Sequence, residues 1–136
     1  MKYLLLSITF FLFLNAKGQT SIKDQIVGNW KVKNVIVKSN SKEMTQLSQT
    51  FTNSIFSFQK NQNFNFIPKQ KTPLTPMFVQ MLQNQKWGFE EKKNLIRIGT
   101  AKDHYSIMGI TPKIEKNNAV FKLEEAELSL EVVKTE

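Results

Sequence analysis

Side chains able to do acid–base, nucleophilic or metal chemistry are few in this chain and stand far apart. There is one histidine, His104, and no cysteine in 136 residues. Hydrolytic and acid–base sites draw on His, Cys or converging carboxylates held in one pocket, and zinc sites on nitrogen and sulfur donors. His104 sits between Asp103 and Tyr105 at an expected loop-to-strand junction, where a solvated side chain is the natural reading. Glu90 and Glu91 are adjacent, so on a strand they point to opposite faces. Glu124, Glu125 and Glu127 fall at an expected hairpin tip, and five glycines leave little room for a phosphate-cradling loop. The expectation is a protein with no catalytic residue, no metal site and no cofactor, and so not an enzyme.

What remains is a set of large apolar side chains and the elements that must hold them. Phe56 and Phe58 alternate with Ser57 and Gln59, Asn61-Gln62-Asn63 supplies turn residues, and Phe64 and Phe66 alternate with Asn65. A hairpin centred on Asn61 sets Phe58 opposite Phe64 and Phe56 opposite Phe66, cross-strand pairs that contribute about 0.2–1 kcal/mol each. Folding the chain at Lys93-Asn94 sets Phe89 opposite Ile98 and Glu90 opposite Arg97. Trp30, Val32, Val35 and Val37 alternate with lysines, with one slip near Asn34 that marks a bulge. Tyr105 to Glu115 reads as a strand turned by Asn117-Asn118, and a last hairpin brings Phe121 and Leu123 against Leu130 and Leu128. About eight strands in up-and-down order predict an all-β meander closed into an antiparallel barrel. Phe56, Phe58, Phe64, Phe66, Trp87, Phe89 and Ile107 are its candidate lining.

Three short helical segments interrupt the strands, near 20–27, 41–51 and 75–83. Ser21 and Asp24 have the spacing of a cap and its partner, as do Asn40 and Glu43 before Met44, Leu47 and Phe51. Thr75 as a cap with Pro76 at the first helical position starts the third. Met77, Phe78, Met81 and Leu82 make that segment unusually apolar for a connector. Either it plugs one end of the core or it is a lid over a cavity. A ligand beneath a lid would meet Phe78, Met81 and Leu82 from the segment and Trp87, Phe89, Phe56 and Phe58 from the wall.

The chain opens with Met1-Lys2, runs apolar from Tyr3 to Leu14, and turns small and polar through Ala16 and Gly18. That is the pattern of a secretion signal cleaved before Gln19, which leaves residues 19–136 as a single domain. A membrane span needs about 20 apolar residues, and Asn15 and Lys17 cut this run short, so no span is expected once the signal is removed. With no cysteine to carry a lipid anchor, the expected location is the periplasm or the exterior. Losing Lys2 and Lys17 lowers the net charge from +8 to +6. Only Arg97 among the 19 basic residues is an arginine, and the lysines are scattered between apolar residues. Nucleic-acid binders concentrate Lys and Arg with interleaved aromatics, so no nucleic-acid partner is expected.

Taken in order, Gly28-Asn29-Trp30 opening the first strand, Phe56-x-Phe58 with an Asn turn and Phe64-x-Phe66, Trp87-Gly88, and Phe121-x-Leu123 with Leu128-x-Leu130 resemble the lipocalin-like families of small exported bacterial proteins. The resemblance spans nearly the whole of residues 19–136. It implies a lipocalin-like barrel in which Gly28 and Trp30 are structural, with Trp30 at the closed end against a basic side chain from near the last strand. Lys134 is the nearest candidate for that side chain. Two roles fit: a binding protein holding a small apolar molecule in the barrel, or a protein-interaction module, such as an inhibitor or accessory subunit, with a solid core.

Overall fold

The computed structural model describes residues 21–135; the expected signal, residues 1–18, and its cleavage site lie outside the described residues. Ser21 caps α1 (Ile22–Ile26) by accepting the Asp24 N–H at 3.2 Å. Gly28 then turns the chain into β1 (Gly28–Val37) at φ 137, a conformation that L side chains rarely adopt. The register of β1 shifts between Val32 and Asn34, which is the expected bulge.

Beyond β1, α2 (Lys42–Phe51) is capped by Ser41 rather than Asn40: the Ser41 hydroxyl accepts from Met44 N–H at 3.2 Å. The hairpin of β2 (Ile55–Phe58) and β3 (Asn63–Ile67) has the expected register, Phe58 opposite Phe64 and Phe56 opposite Phe66. In α3 (Thr75–Leu82) the cap position belongs to Leu74 and carries no side-chain bond. The Thr75 hydroxyl instead accepts from Thr72 N–H and donates to the Gln70 carbonyl, tying down the approach to the helix.

The next hairpin joins β4 (Gln85–Glu90) to β5 (Leu95–Gly99), with Phe89 opposite Ile96 and Gly88 opposite Arg97. The expected register is off by two residues. A turn of 3-10 helix, Glu91–Lys93, with Asn94 left-handed at φ 49, consumes four residues where a tighter turn was expected. Because the shift is even, every side chain keeps its face. A second 3-10 turn, Ala101–Asp103, precedes β6 (Met108–Glu115), so the strand starts three residues later than Tyr105.

A two-residue turn at Lys116-Asn117 leads into β7 (Asn118–Leu123), and β8 (Leu128–Thr135) ends the chain with Phe121 opposite Leu130 and Leu123 opposite Leu128, as expected. Pro112 is tolerated within β6 because its nitrogen faces β5, whose pairing with β6 has ended at Ile110.

The eight strands form one closed antiparallel barrel in sequence order, completed by eight register pairs between β1 and β8. Inward residues are the buried ones: Trp30 and Val32, Phe56 and Phe58, Ile96 and Ile98, Ala119, Phe121 and Leu123, and Leu128, Leu130 and Val132. The weakest seam is between β3 and β4, which share only two register pairs, Asn63 with Lys86 and Phe64 with Gln85. There α3 lies against β3, and its Phe78 and Leu82 are buried.

Candidate functional site

The expected binding residues fall into one core. Phe56, Phe58, Trp87 and Leu82 are at most 1% exposed, Phe78 is 8% exposed, and Met81 and Phe89 pack against them half-buried. A run of ring contacts threads this core: Phe78 to Phe51 at 5.0 Å, Phe51 to Phe56 at 6.0 Å, Phe56 to Phe64 at 5.9 Å, Phe64 to Phe58 at 5.1 Å, and Phe58 to Trp87 at 5.5 Å. Phe121 on β7 meets Phe56 at 6.5 Å and Phe58 at 6.0 Å. Since β2 and β7 are not neighbours in the wall, these two contacts cross the barrel interior.

The structure separates two groups that the sequence reading put together. Phe78 packs on Phe51 at the end of α2, whereas the Trp87 indole N–H donates to the Gln59 carbonyl at 2.9 Å, in the β2–β3 turn. Gly28, opposite Phe58, shares that end of the barrel. Trp87 therefore lies on the same side as Trp30, away from the end that α3 covers. Trp30 is fully buried, donates its indole N–H to the Ile26 carbonyl at 2.8 Å, and has the Lys134 ammonium 5.0 Å from its ring centre. The basic side chain that the resemblance implies is present as Lys134, whose ammonium also donates to the Gln25 carbonyl at 2.7 Å. Burial pushes the Lys134 amine below its ordinary value.

The polar side chains organise the loops. Asp103 accepts from the Thr100 N–H at 3.0 Å, the Thr100 hydroxyl at 3.1 Å and the Ser106 N–H at 3.2 Å. Those bonds hold His104 and Tyr105 in succession at φ 59 and 57, an uncommon pairing for residues with side chains. Gly99 is required beneath them, for a Cβ there would stand 2.7 Å from the Tyr105 Cα. At the other hairpin tip, Glu125 accepts from the Gly109 N–H at 2.8 Å and Glu124 from the Thr111 hydroxyl at 2.5 Å. Both glutamates are exposed residues of the turn, as expected, and both also pin β6. His104 is exposed, and among the described residues no three His, Asp or Glu side chains gather as a metal site.

The Asp103 loop carries a pH prediction. The Thr100 N–H, followed by the Ser106 N–H and the Thr100 hydroxyl, holds the carboxyl below its ordinary value of 3.8 against the opposing effect of burial. A depressed folded value means that the ionised loop is stabilised above pH 3.8 and loses that stabilisation as the pH falls through the lower, folded value. Amide shifts of Thr100 and Ser106 should hold steady from neutral pH and titrate only below 3.8. A midpoint at or above that figure would show that the bonds do not form.

Sequence reading missed a feature on the outer wall. Gly88 faces outward opposite Arg97, and a Cβ there would meet nothing within 4 Å. The gap opens into a recess of about 280 Å³ lined by Gln62, Trp87, Gly88, Phe89, Glu90, Arg97 and Tyr105. Glu90 accepts from the Arg97 Nε at 2.7 Å and lies 3.9 Å from the Lys93 ammonium. One signal for this site was present in the composition: Arg97 is the chain's single arginine.

Fold and site together define a closed eight-stranded antiparallel barrel with an aromatic interior, with α2 and α3 meeting through Phe51 and Phe78 at one end. The chain matches no protein-family model, no curated protein and no solved structure. Among the described residues no helix is long and apolar enough to cross a membrane.

Proposed function

We propose that this is an exported binding module, not an enzyme, that engages a protein partner through the outside of its barrel while the interior serves as core. The observation that carries this reading is the pair of cross-barrel contacts from Phe56 and Phe58 to Phe121. Large rings that meet across a small barrel occupy the volume a ligand would need. Export rests on the leader pattern of residues 1–18.

A second reading keeps a small apolar ligand in a lipocalin-like barrel, and the short β3–β4 seam favours it. With two register pairs there the wall is held by few backbone bonds, α3 lies against β3 beside it, and outward movement of α3 would uncover that seam. Met77, on that helix, is 51% exposed.

Hydrogen exchange separates the readings. Amides in residues 78–82 are expected to exchange as slowly as those of the neighbouring strands, with no change on adding a fatty acid. Fast exchange that the fatty acid slows would overturn the solid-core reading. Both native tryptophans lie away from α3, so the companion fluorescence titration needs a reporter on the helix, and Met77→Trp supplies one at an exposed position.

A further inference from the structure

The recess over Gly88 has a chemistry of its own. Among the described residues, Arg97 uses only its Nε, on Glu90, which leaves both terminal guanidinium nitrogens without a hydrogen-bond partner. Arg97 and Glu90 are the charged residues of the lining, and the free terminal nitrogens of Arg97 are the donors that an anion entering the recess would meet. Tyr105 lines the recess and is held there by the Asp103 loop. Left-handed backbone at two successive residues is strain that the Asp103 bonds sustain.

Beside the recess the sheet has an open edge. The Trp87 N–H bonds the Gln62 carbonyl on the β3 side, so by strand alternation the N–H and C=O of Phe89 point the same way, away from β5. The β2–β3 hairpin has already turned at Gln62, and among the described residues nothing pairs with that edge. An unpaired strand edge recognises extended main chain, and an adjoining pocket selects the side chain.

We propose that this place anchors an extended segment of a partner protein. Its main chain pairs with Phe89, and an acidic side chain enters the space over Gly88 to meet Arg97 and Tyr105. The inference rests on the outer-wall reading above and names the chemistry of its partner.

The test titrates the isotope-labelled protein with a capped five-residue peptide of β-branched residues around one central glutamate, and with its glutamine counterpart. Saturable shifts are expected at Gly88, Phe89 and the Arg97 Nε, with the glutamine peptide at least about tenfold weaker, the scale of one charge-assisted hydrogen bond. Gly88→Leu extends into the recess from a position where a Cβ meets nothing within 4 Å, so it should fold as the parent does and weaken binding by about tenfold or more. Arg97→Gln should do the same, and if loss of the Glu90 pair unfolds that variant, Gly88→Leu alone decides. Equal affinity for the two peptides, unaltered binding by a folded Gly88→Leu variant, shifts confined to another surface, or no binding of either peptide would each overturn the proposal. Failure of the outer-wall reading shows separately, as fatty-acid protection of α3.

Discussion

Trp30→Ala is expected to cost about 3–5 kcal/mol, a large share of the stability of a domain this size. The indole is fully buried, it stands edge-on to Phe121 at 5.5 Å, and its N–H ties the β1 entrance to the Ile26 carbonyl. Truncation opens a cavity at the end of the barrel and leaves that carbonyl without its donor. It also strands the Lys134 ammonium, which then covers a void instead of a ring. Urea unfolding measures the loss. A variant melting within about a degree or two of the parent would show that Trp30 is not part of the closure.

Phe121→Ala should be comparably severe, at about 3–5 kcal/mol, for a different reason. Phe121 joins opposite walls, touching Trp30 on β1 and both Phe56 and Phe58 on β2. No single neighbour can relax into the space without losing another contact. The control is the next residue: Val120 faces outward and is 36% exposed, so Val120→Ala should change stability by no more than about 0.5 kcal/mol. Equal effects at the two positions would mean that the interior is loosely filled, and would return weight to a ligand cavity.

The strand rhythm was legible where the chain makes tight turns between regular alternations. At Phe56 to Phe66 and Phe121 to Leu130 local period and turn residues leave one register, and the structure has it. At Trp87 to Gly99 the period gave the faces correctly but not the pairing, since the 3-10 turn and the left-handed Asn94 depend on how that turn packs. The Glu90–Arg97 pair formed in either register because long side chains reach a diagonal neighbour. Tyr105 alternates with Ile107 on paper, yet side-chain bonds to Asp103 overrule the alternation. Capping was misplaced by one residue at Asn40, where a serine next door offered an equivalent oxygen.

The aromatic interior could be read from period, but not how full it is, because the deciding contacts join β2 to β7, some sixty residues apart in the chain. The outer recess was harder still. Gln62, Gly88, Arg97 and Tyr105 come from a hairpin tip, two strands and a loop, and only the final register and the Asp103 loop bring them together.

Closure through β1 and β8 also governs when this chain can become a barrel at all. The first strand has one side satisfied by β2 and the other only by the last strand, through pairs that reach from Asn29 with Thr135 to Val37 with Leu128. Until Leu128–Thr135 is available, β1 and β7 both present unpaired backbone, so a partly made chain has no finished state to rest in. Pairing over nearly the full length raises the contact order, and loops of that span close slowly. A barrel of this order stays open until Leu128–Thr135 is present to pair with β1, so its closing step is the one that joins the most distant pair of strands.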